Sequence, residues 1–385
     1  MRGSSRGIAA ALALGAGTTW NISSVGAVAD PLAGSYGVSL ATVGLFTTAL
    51  VLTHFLVQLP AGRHADRFGA ARVGLVAAAA CAAGNALALV APVPALALVA
   101  RACAGIGSGA GFVAGADLMR ASRPSPVFQG LFGASTMAGG GLAVAIVPQL
   151  DDALGWRAPY WSGLGIAVAV GLITVLAPAA PRRTRRAAAI AADRRLVPLG
   201  AVHAASFGLS FVAANWIVTL LERHGTARRE AAVVGALVLL AGIVTRPLGG
   251  FVLLRGPRAA RTTLALCLAV ISLACLALAT PLPLAALCVA TAAIGASAGL
   301  PFAILFGTAQ RLRPDAPAAA LAFVNAWAIL GILVGTPLAG LAFGLPGDGR
   351  LAFAAMAAAC ATVLPLVGRI PFEEAAAVSP RPARA

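Results

Sequence analysis

The sequence predicts an all-α membrane protein of twelve transmembrane helices, arranged as two pseudo-symmetric six-helix bundles. Three observations carry this. Of 385 residues, 60% are hydrophobic and 10% charged, with a mean hydropathy of +0.92, whereas a soluble domain carries about 25% charged residues. So little polar surface cannot cover a globule in water, and a backbone dissolved in lipid must satisfy itself within helices or a closed barrel. The apolar runs have the ~20-residue length of a spanning helix and lack the two-residue alternation of barrel strands. Finally, all 28 basic residues are arginine; with the N-terminus in the cytoplasm, 21 fall in cytoplasmic segments and 5 outside. That bias predicts an even number of spans with both termini inside.

The first span is predicted over 8–31, behind Arg2 and Arg6. Its basic start and the later Ala27-Val28-Ala29 imitate a secretory signal, but polar Asn21 sits in its middle and cleavage would leave an odd number of spans. Spans 2 to 6 follow at 40–61, 72–91, 95–119, 127–149 and 158–178, with Pro92 and Pro94 marking the turn before the fourth. Residues 179–197, with six arginines, read as a basic cytoplasmic linker between an N-terminal bundle (1–178) and a C-terminal bundle (198–370). Spans 7 to 12 are predicted at 198–221, 231–253, 260–280, 284–307, 317–343 and 351–370, and the tail 371–385 reads as disordered.

An internal repeat supports the two bundles. Gly62 aligns with Gly250 and Arg67 with Arg255, each offset by 188. At the same offset Gly105–Gly111 aligns with Ala293–Gly299, while Pro148 and Pro337 differ by 189. Duplicated halves with a substrate site near their interface are a transporter architecture.

Several features exclude other classes. The net charge of +16 is spread over loops without the aromatic interleaving of a nucleic-acid platform, so no nucleic-acid partner is expected. Cys81, Cys103, Cys267, Cys275, Cys288 and Cys360 all lie in apolar runs, which predicts neither a disulfide framework nor a metal site, and no cofactor is expected. Gly105-Ile106-Gly107-Ser108-Gly109-Ala110 fits a dinucleotide fingerprint, but no strand precedes it. Gly295-Ala296-Ser297-Ala298-Gly299 fits a hydrolase elbow, yet all four histidines precede it in the chain. Both read better as small residues that let helices approach, and no enzyme is predicted.

The longest charged cluster in the first 100 residues lies between spans 2 and 3. It holds Gly62, Asp66, Arg67, Gly69 and Arg72, in the spacing G-x-x-x-D-R-x-G-x-x-R, and reads as a very short loop at a membrane surface. This resembles the signature loop between helices 2 and 3 of the major facilitator superfamily, departing from it at Ala70 and Ala71. In the second half Leu254 stands where Asp66 would be. The resemblance implies a conformational switch in which Asp66, Arg67, Asp117 and Arg120 form a cytoplasmic acid–base network, with Asp66 also facing the positive N-terminal end of helix 11 near Ala316. Solvated loop charges are the alternative.

Arg101-x-x-x-Gly105-x-Gly107-x-Gly109 resembles the family's helix-4 motif, with Ala104 where glutamine is usual. The resemblance implies that Arg101 tunes proton or substrate binding; a structural bond to backbone carbonyls near a helix break is the other reading. His54 and His203 are further proton-coupling candidates, since histidine titrates near neutral pH; a packed, hydrogen-bonded histidine is the alternative. Polar residues inside spans cost free energy unless they face a cavity or the bundle interior. This makes Asn21, Asn215 and Asn325 substrate-binding candidates, with interhelical hydrogen bonding as the alternative; Trp216 joins them as a cavity-shaping ring. Gln58 overlies Arg246 when the halves are aligned, and a positive charge this deep favours an anionic substrate, with bracing of the Arg-Pro-x-Gly-Gly turn against a neighbouring helix as the alternative.

The expected function is therefore secondary active transport of a small solute, an organic or inorganic anion included, by alternating access and coupled to protons. A proton-driven drug or metabolite efflux antiporter is the alternative, and a non-transporting membrane sensor on the same fold is a more remote one. Gly155-Trp156-Arg157, Asn215-Trp216 and the run 299–307 resemble cyanate- and nitrate-type small-acid carriers. The expected setting is the plasma membrane of a GC-rich bacterium, the chain working as a monomer with a small-molecule substrate, protons and the lipid bilayer as its partners.

Overall fold

Proline opens four of the long helices, at the position where a missing N–H costs nothing and the ring's fixed φ suits the first turn. In the computed structural model, which describes residues 2–178, 190 and 193–377, these are α5 (Pro94–Ser122), α6 (Pro126–Leu154), α11 (Pro257–Leu278) and α13 (Pro317–Phe343). The others are α1 (Arg2–Ser23), α2 (Ala29–Tyr36), α3 (Leu40–Phe68), α4 (Ala70–Ala88), α7 (Ala158–Val175), α8 (Leu196–His203), α9 (Leu209–Arg223), α10 (Arg228–Leu254), α12 (Leu284–Leu312), α14 (Arg350–Val363) and the short α15 (Phe372–Ala377). Among the described residues there is no strand.

Among the described residues, eleven helical stretches are long and apolar enough to cross a membrane. One of them, Pro126–Val175, is 50 residues long, about twice what a bilayer needs. Its packing against α1 resolves it into two crossings. Along α6, Phe132 meets Gly15, the Thr136 carbonyl accepts from Thr19 Oγ1, and Gly140 meets Ser23, so α6 runs with α1. Along α7, Ser162 accepts from Trp20 Nε1 and Val170 meets Gly17, so α7 runs against it. The chain reverses at the 3-10 turn Gly155–Arg157, where Gly155 has φ +53. Twelve spans result among the described residues. Their outer surface is apolar, with Leu56, Val76, Leu172 and Val289 exposed, as a lipid-facing surface requires.

Two compact units form. The first comprises Met1–Pro124, Leu131–Ala187 and Ala316–Ala322; the second comprises Ser125–Gly130, Ala188–Asp315 and Phe323–Ala385.

The structure corrects several sequence-based boundaries. The first span is not one helix over 8–31: α1 stops at Ser23, a 3-10 turn covers Gly26–Val28, and α2 resumes at Ala29. The charged segment after span 2 is not a loop. α3 continues through Pro60 to Phe68, and the chain breaks only at Gly69, whose φ of +93 is open to glycine alone. The seventh span carries a π-helical turn, Ala204–Gly208, between α8 and α9. The start of the tail is ordered: Arg261 pairs with Glu373 and Arg195 with Glu374, which docks α15 with Phe372 buried. Of the linker, 179–189 and 191–192 lie outside the described residues, as do tail residues 378–385.

The repeat is visible in packing, with one change of register. Gly105 approaches Leu50 and Gly109 approaches His54; in the second unit Gly295 approaches Val238 and Gly299 approaches Gly242. Leu50 to Val238 and His54 to Gly242 keep the offset of 188, but Gly105 to Gly295 and Gly109 to Gly299 are offset by 190. Small residues two apart make the run degenerate to a two-residue slip, so identity alone chose the wrong register.

Candidate functional site

Pro317 has no N–H, so the first orphan donors at the start of α13 belong to Ala318 and Ala319. Both are taken by one carboxylate from another helix: Ala318 N–H donates to Asp66 Oδ1 at 3.1 Å and Ala319 N–H to Oδ2 at 3.0 Å. The charge also faces the positive end of the helix dipole. One turn earlier on α3, a Cβ on Gly62 would lie 2.7 Å from Ala319 Cα and 2.9 Å from the Ala318 carbonyl, so only glycine permits this approach. Gly250 does the same in the second unit, abutting Pro126 and Val127 at the start of α6. There the residue one turn on is Leu254, which offers no acceptor.

The other motif residues sit close by in sequence but differ in setting. Gly69 ends α3 and donates to the Ala65 carbonyl. Arg67 is exposed, its guanidinium 4.9 Å above the Phe68 ring, and Arg72 is also exposed. Asp117 is buried and receives Arg120 Nε at 2.7 Å, an i, i+3 pair near the end of α5.

A second group surrounds the break in the first span. A helix that ends at Ser23 leaves carbonyls without intrahelical donors. Arg101, 1% exposed, donates from Nη2 to the Asn21 carbonyl at 2.7 Å. Asn21 Nδ2 donates to the Gly17 carbonyl, and its Oδ1 accepts from Asn85 Nδ2 at 2.7 Å. Asn21 and Arg101 are thus brought together, with Asn85 between α4 and α1. A cavity of about 20 Å³ beside them, lined by Thr18, Asn21 and Cys81 among others, is large enough for one water molecule. His54 is fully enclosed on α3, with Nδ1 2.7 Å from Ser108 Oγ on α5; Gln58, one turn on, is also buried.

The third group lies in the second unit. Arg246 on α10 is 2% exposed. Its guanidinium carbon lies 4.9 Å from the Phe207 ring centre and 4.4 Å from that of Phe302, the cation–π geometry that stabilises a desolvated guanidinium. His203 stacks on Phe207 at 5.5 Å and meets Phe302 and Phe306 edge-on. Its Nε2 is 3.4 Å from Asn325 Oδ1 on α13. His203, Arg246 and Asn325 therefore share one aromatic enclosure. Asn215 and Trp216 do not join it: Asn215 is exposed, and Trp216 donates to the Thr336 carbonyl and stacks on Phe343 at 4.8 Å.

Sequence reasoning missed the enclosing phenylalanines and the π turn. It also missed an ion-pair cluster ahead of α8. There Arg195 grips Asp193 with two bonds of 2.9 and 2.8 Å, Arg313 grips Asp315 at 2.8 and 2.7 Å, and Arg313 reaches Asp193 at 3.5 Å. The Arg195 guanidinium holds the Asp193 carboxyl below the usual carboxylate range. The spacing R-x-D at 313–315 and D-x-R at 193–195 was the available signal.

The Major Facilitator Superfamily model matches residues 9–319. Among proteins of curated function, none matches the chain by sequence. Solved structures do. The fold is similar to a proton:xylose symporter, XylE, with TM-score 0.79, 12% identity, and 98% and 99% of the two chains covered. It is also similar to the human organic anion transporter MFSD10 (TM-score 0.73, 16% identity, 95% and 99% covered) and to the E. coli fucose:proton symporter FucP (0.72, 16%, 93% and 97%). The narrower resemblance to cyanate- and nitrate-type carriers finds no support in these comparisons. With twelve spans in two units and a family match over most of its length, the chain belongs to the Major Facilitator Superfamily, a family of membrane transporters rather than enzymes.

Proposed function

We propose that this chain is a secondary active transporter that moves a small anionic solute across the plasma membrane with protons, by alternating access. The observation that carries the anion is Arg246. A guanidinium buried in the membrane costs several kcal/mol, about 2.5–3.5 on insertion scales, and stacking on Phe207 and Phe302 helps to keep it charged in place. Gln58 occupies the aligned position in the first half, which favours a singly charged organic acid over nitrate.

The Asp66 cap on α13 supplies the cycle with a breakable contact. Two hydrogen bonds and a dipole interaction hold the start of α13 in the first unit, and their release is the step that the resemblance to the family's signature loop implies. Both termini lie in the cytoplasm in this reading, on the strength of the arginine bias. Arg101, His54 and His203 remain the proton-coupling candidates. For Arg101, donation to the Asn21 carbonyl at a helix break favours the structural role.

The test is uptake and counterflow in proteoliposomes with a panel of small acids and neutral sugars. Arg246→Gln should abolish acid transport. Arg246→Lys should keep the charge, lose the planar fork and raise the apparent KM. Normal acid transport by Arg246→Gln, or a cationic substrate, would end the anion reading.

A further inference from the structure

The seventh span holds a row of buried polar atoms that the fold does not use. His203, Ser206 and Ser210 are at most 1% exposed, and His203 Nδ1, Ser206 Oγ and Ser210 Oγ have no hydrogen-bond partner among the described residues. Buried polar groups are nearly always paired, and a group that is not calls for a water, a ligand or a functional reason. Serine in a helix ordinarily bonds back to a carbonyl one turn earlier; neither serine does so here.

The three lie within two turns of the same helix. The wider π turn brings residues four apart over one another: His203 stacks on Phe207, and Ser206 and Ser210, also four apart, follow on the adjoining part of the same helix. Other faces are already committed: Gly208 packs on Ala328 of α13, and the Ala205 carbonyl accepts from Cys360 of α14. The row lies along the turn Ala204–Gly208, which is π-helical; such turns are rare and frequent at functional sites. Arg246 stacks on the same Phe207 ring, from α10.

The imidazole is set up for a proton at Nδ1. Nε2 lies 3.4 Å from the side-chain oxygen of Asn325, which can only accept; in the tautomer that donates there, Nδ1 keeps its lone pair. Arg246 is the charged group facing His203 from the neighbouring helices. The Cys360 thiol faces the far side of the turn, and α12 brings Phe302 and Phe306. Protonating Nδ1 sets one positive charge near another; an anion bound between imidazolium and guanidinium relieves that opposition.

The geometry points to a two-point carboxylate site on the π turn: Arg246 and protonated His203 take the charge of a small monocarboxylate, and Ser206 and Ser210 donate to its oxygens or to a neighbouring hydroxyl. This rests on the anion reading above and deepens it. Each carboxylate binds with one proton on Nδ1, so the loaded site gains no net charge, and acid and proton move as a symported pair.

The experiment measures thermal stabilisation of the purified full chain in detergent by lactate, pyruvate and benzoate, with fucose as the neutral probe, at about pH 5.5 and pH 7.5 on either side of a histidine's ordinary range. The wild type should be stabilised by at least one acid, with affinity up to tenfold tighter per pH unit lowered. Ser206→Ala/Ser210→Ala should weaken binding about tenfold while the pH slope persists. His203→Asn should retain weak binding and lose the slope. Unliganded melting reports whether each variant folds, and the serine pair serves if the histidine variant does not. Should the serine variant bind like wild type, or a folded His203→Asn keep the slope, the π-turn site is overturned; loss of binding in Arg246→Gln would then leave the anion reading standing. Stabilisation by fucose and by no acid overturns both.

Discussion

Asp66→Asn removes one of two acceptors and the negative charge at the start of α13, and leaves the shape of the side chain intact. The bonds lost or weakened are the two at 3.1 and 3.0 Å from Ala318 and Ala319. A hydrogen bond to a charged group contributes about 1.5–3 kcal/mol, and loss of an N-cap costs ~0.5–2 kcal/mol. Because asparagine keeps one acceptor, ~1.5–2 kcal/mol is the expected loss, a factor of roughly 10–30 in the population holding the contact. The assay is the alkylation rate of a single cysteine at Ala316, 1% exposed, in a chain lacking the native cysteines. The rate should rise about tenfold and turnover should fall, with expression near normal. Gly62→Ala attacks the same contact by placing a methyl 2.7 Å from Ala319 Cα, so adding Asp66→Asn to it should change little further. Fully additive effects, or wild-type alkylation and turnover in Asp66→Asn, would refute the reasoning and leave Asp66 a solvated charge.

Other predictions follow from the same geometry. Leu254→Asp should give the start of α6 the acceptor that α13 already has, stabilising the Gly250 contact by ~0.5–2 kcal/mol and slowing turnover; unchanged kinetics would show that the second copy of the motif no longer acts. Asp193 has a depressed pKa, so its pairing stabilises the fold fully above its unfolded value of about 3.9, and that stability is lost as pH falls through the lower folded pKa. Asp193→Asn should therefore lower the melting temperature at neutral pH and narrow the gap to wild type in strong acid; a gap independent of pH would contradict the pairing. Single cysteines at Ser35 and Gly347 should label from outside and one at Arg258 only after permeabilisation, and the reverse pattern would invert the assigned orientation.

The spans were legible because their signal is local: apolar length, flanking arginine and prolines at helix starts. The break after Ser23 was not, because the first span is apolar on both sides of it and the carbonyl it frees is met by Arg101, distant in sequence. The extension of α3 to Phe68 was hidden by charge, which reads as loop until Gly69 is seen to supply the only backbone break. α15 depends on Arg195 and Arg261 for its placement, and no property of its own six residues announces that. At the candidate site, sequence brought out Arg246, His203 and Asn325 one at a time as polar residues in apolar runs. Their shared phenylalanine enclosure is a tertiary fact, as is the π turn, and neither leaves a periodic trace. Asp66 could be placed by its spacing, whereas Asn215 and Trp216, chosen by the same polar-in-span logic, point elsewhere.

The most direct measurement is accumulation of a small monocarboxylate in proteoliposomes under an imposed pH gradient, acid outside, with Arg246→Gln vesicles as the control for passive entry of the neutral acid. The account predicts an initial rate of accumulation by the wild type well above the passive rate of the variant, and collapse of the accumulated acid with the gradient. Equal initial rates in both, or transport by the wild type confined to neutral or cationic solutes, would contradict it.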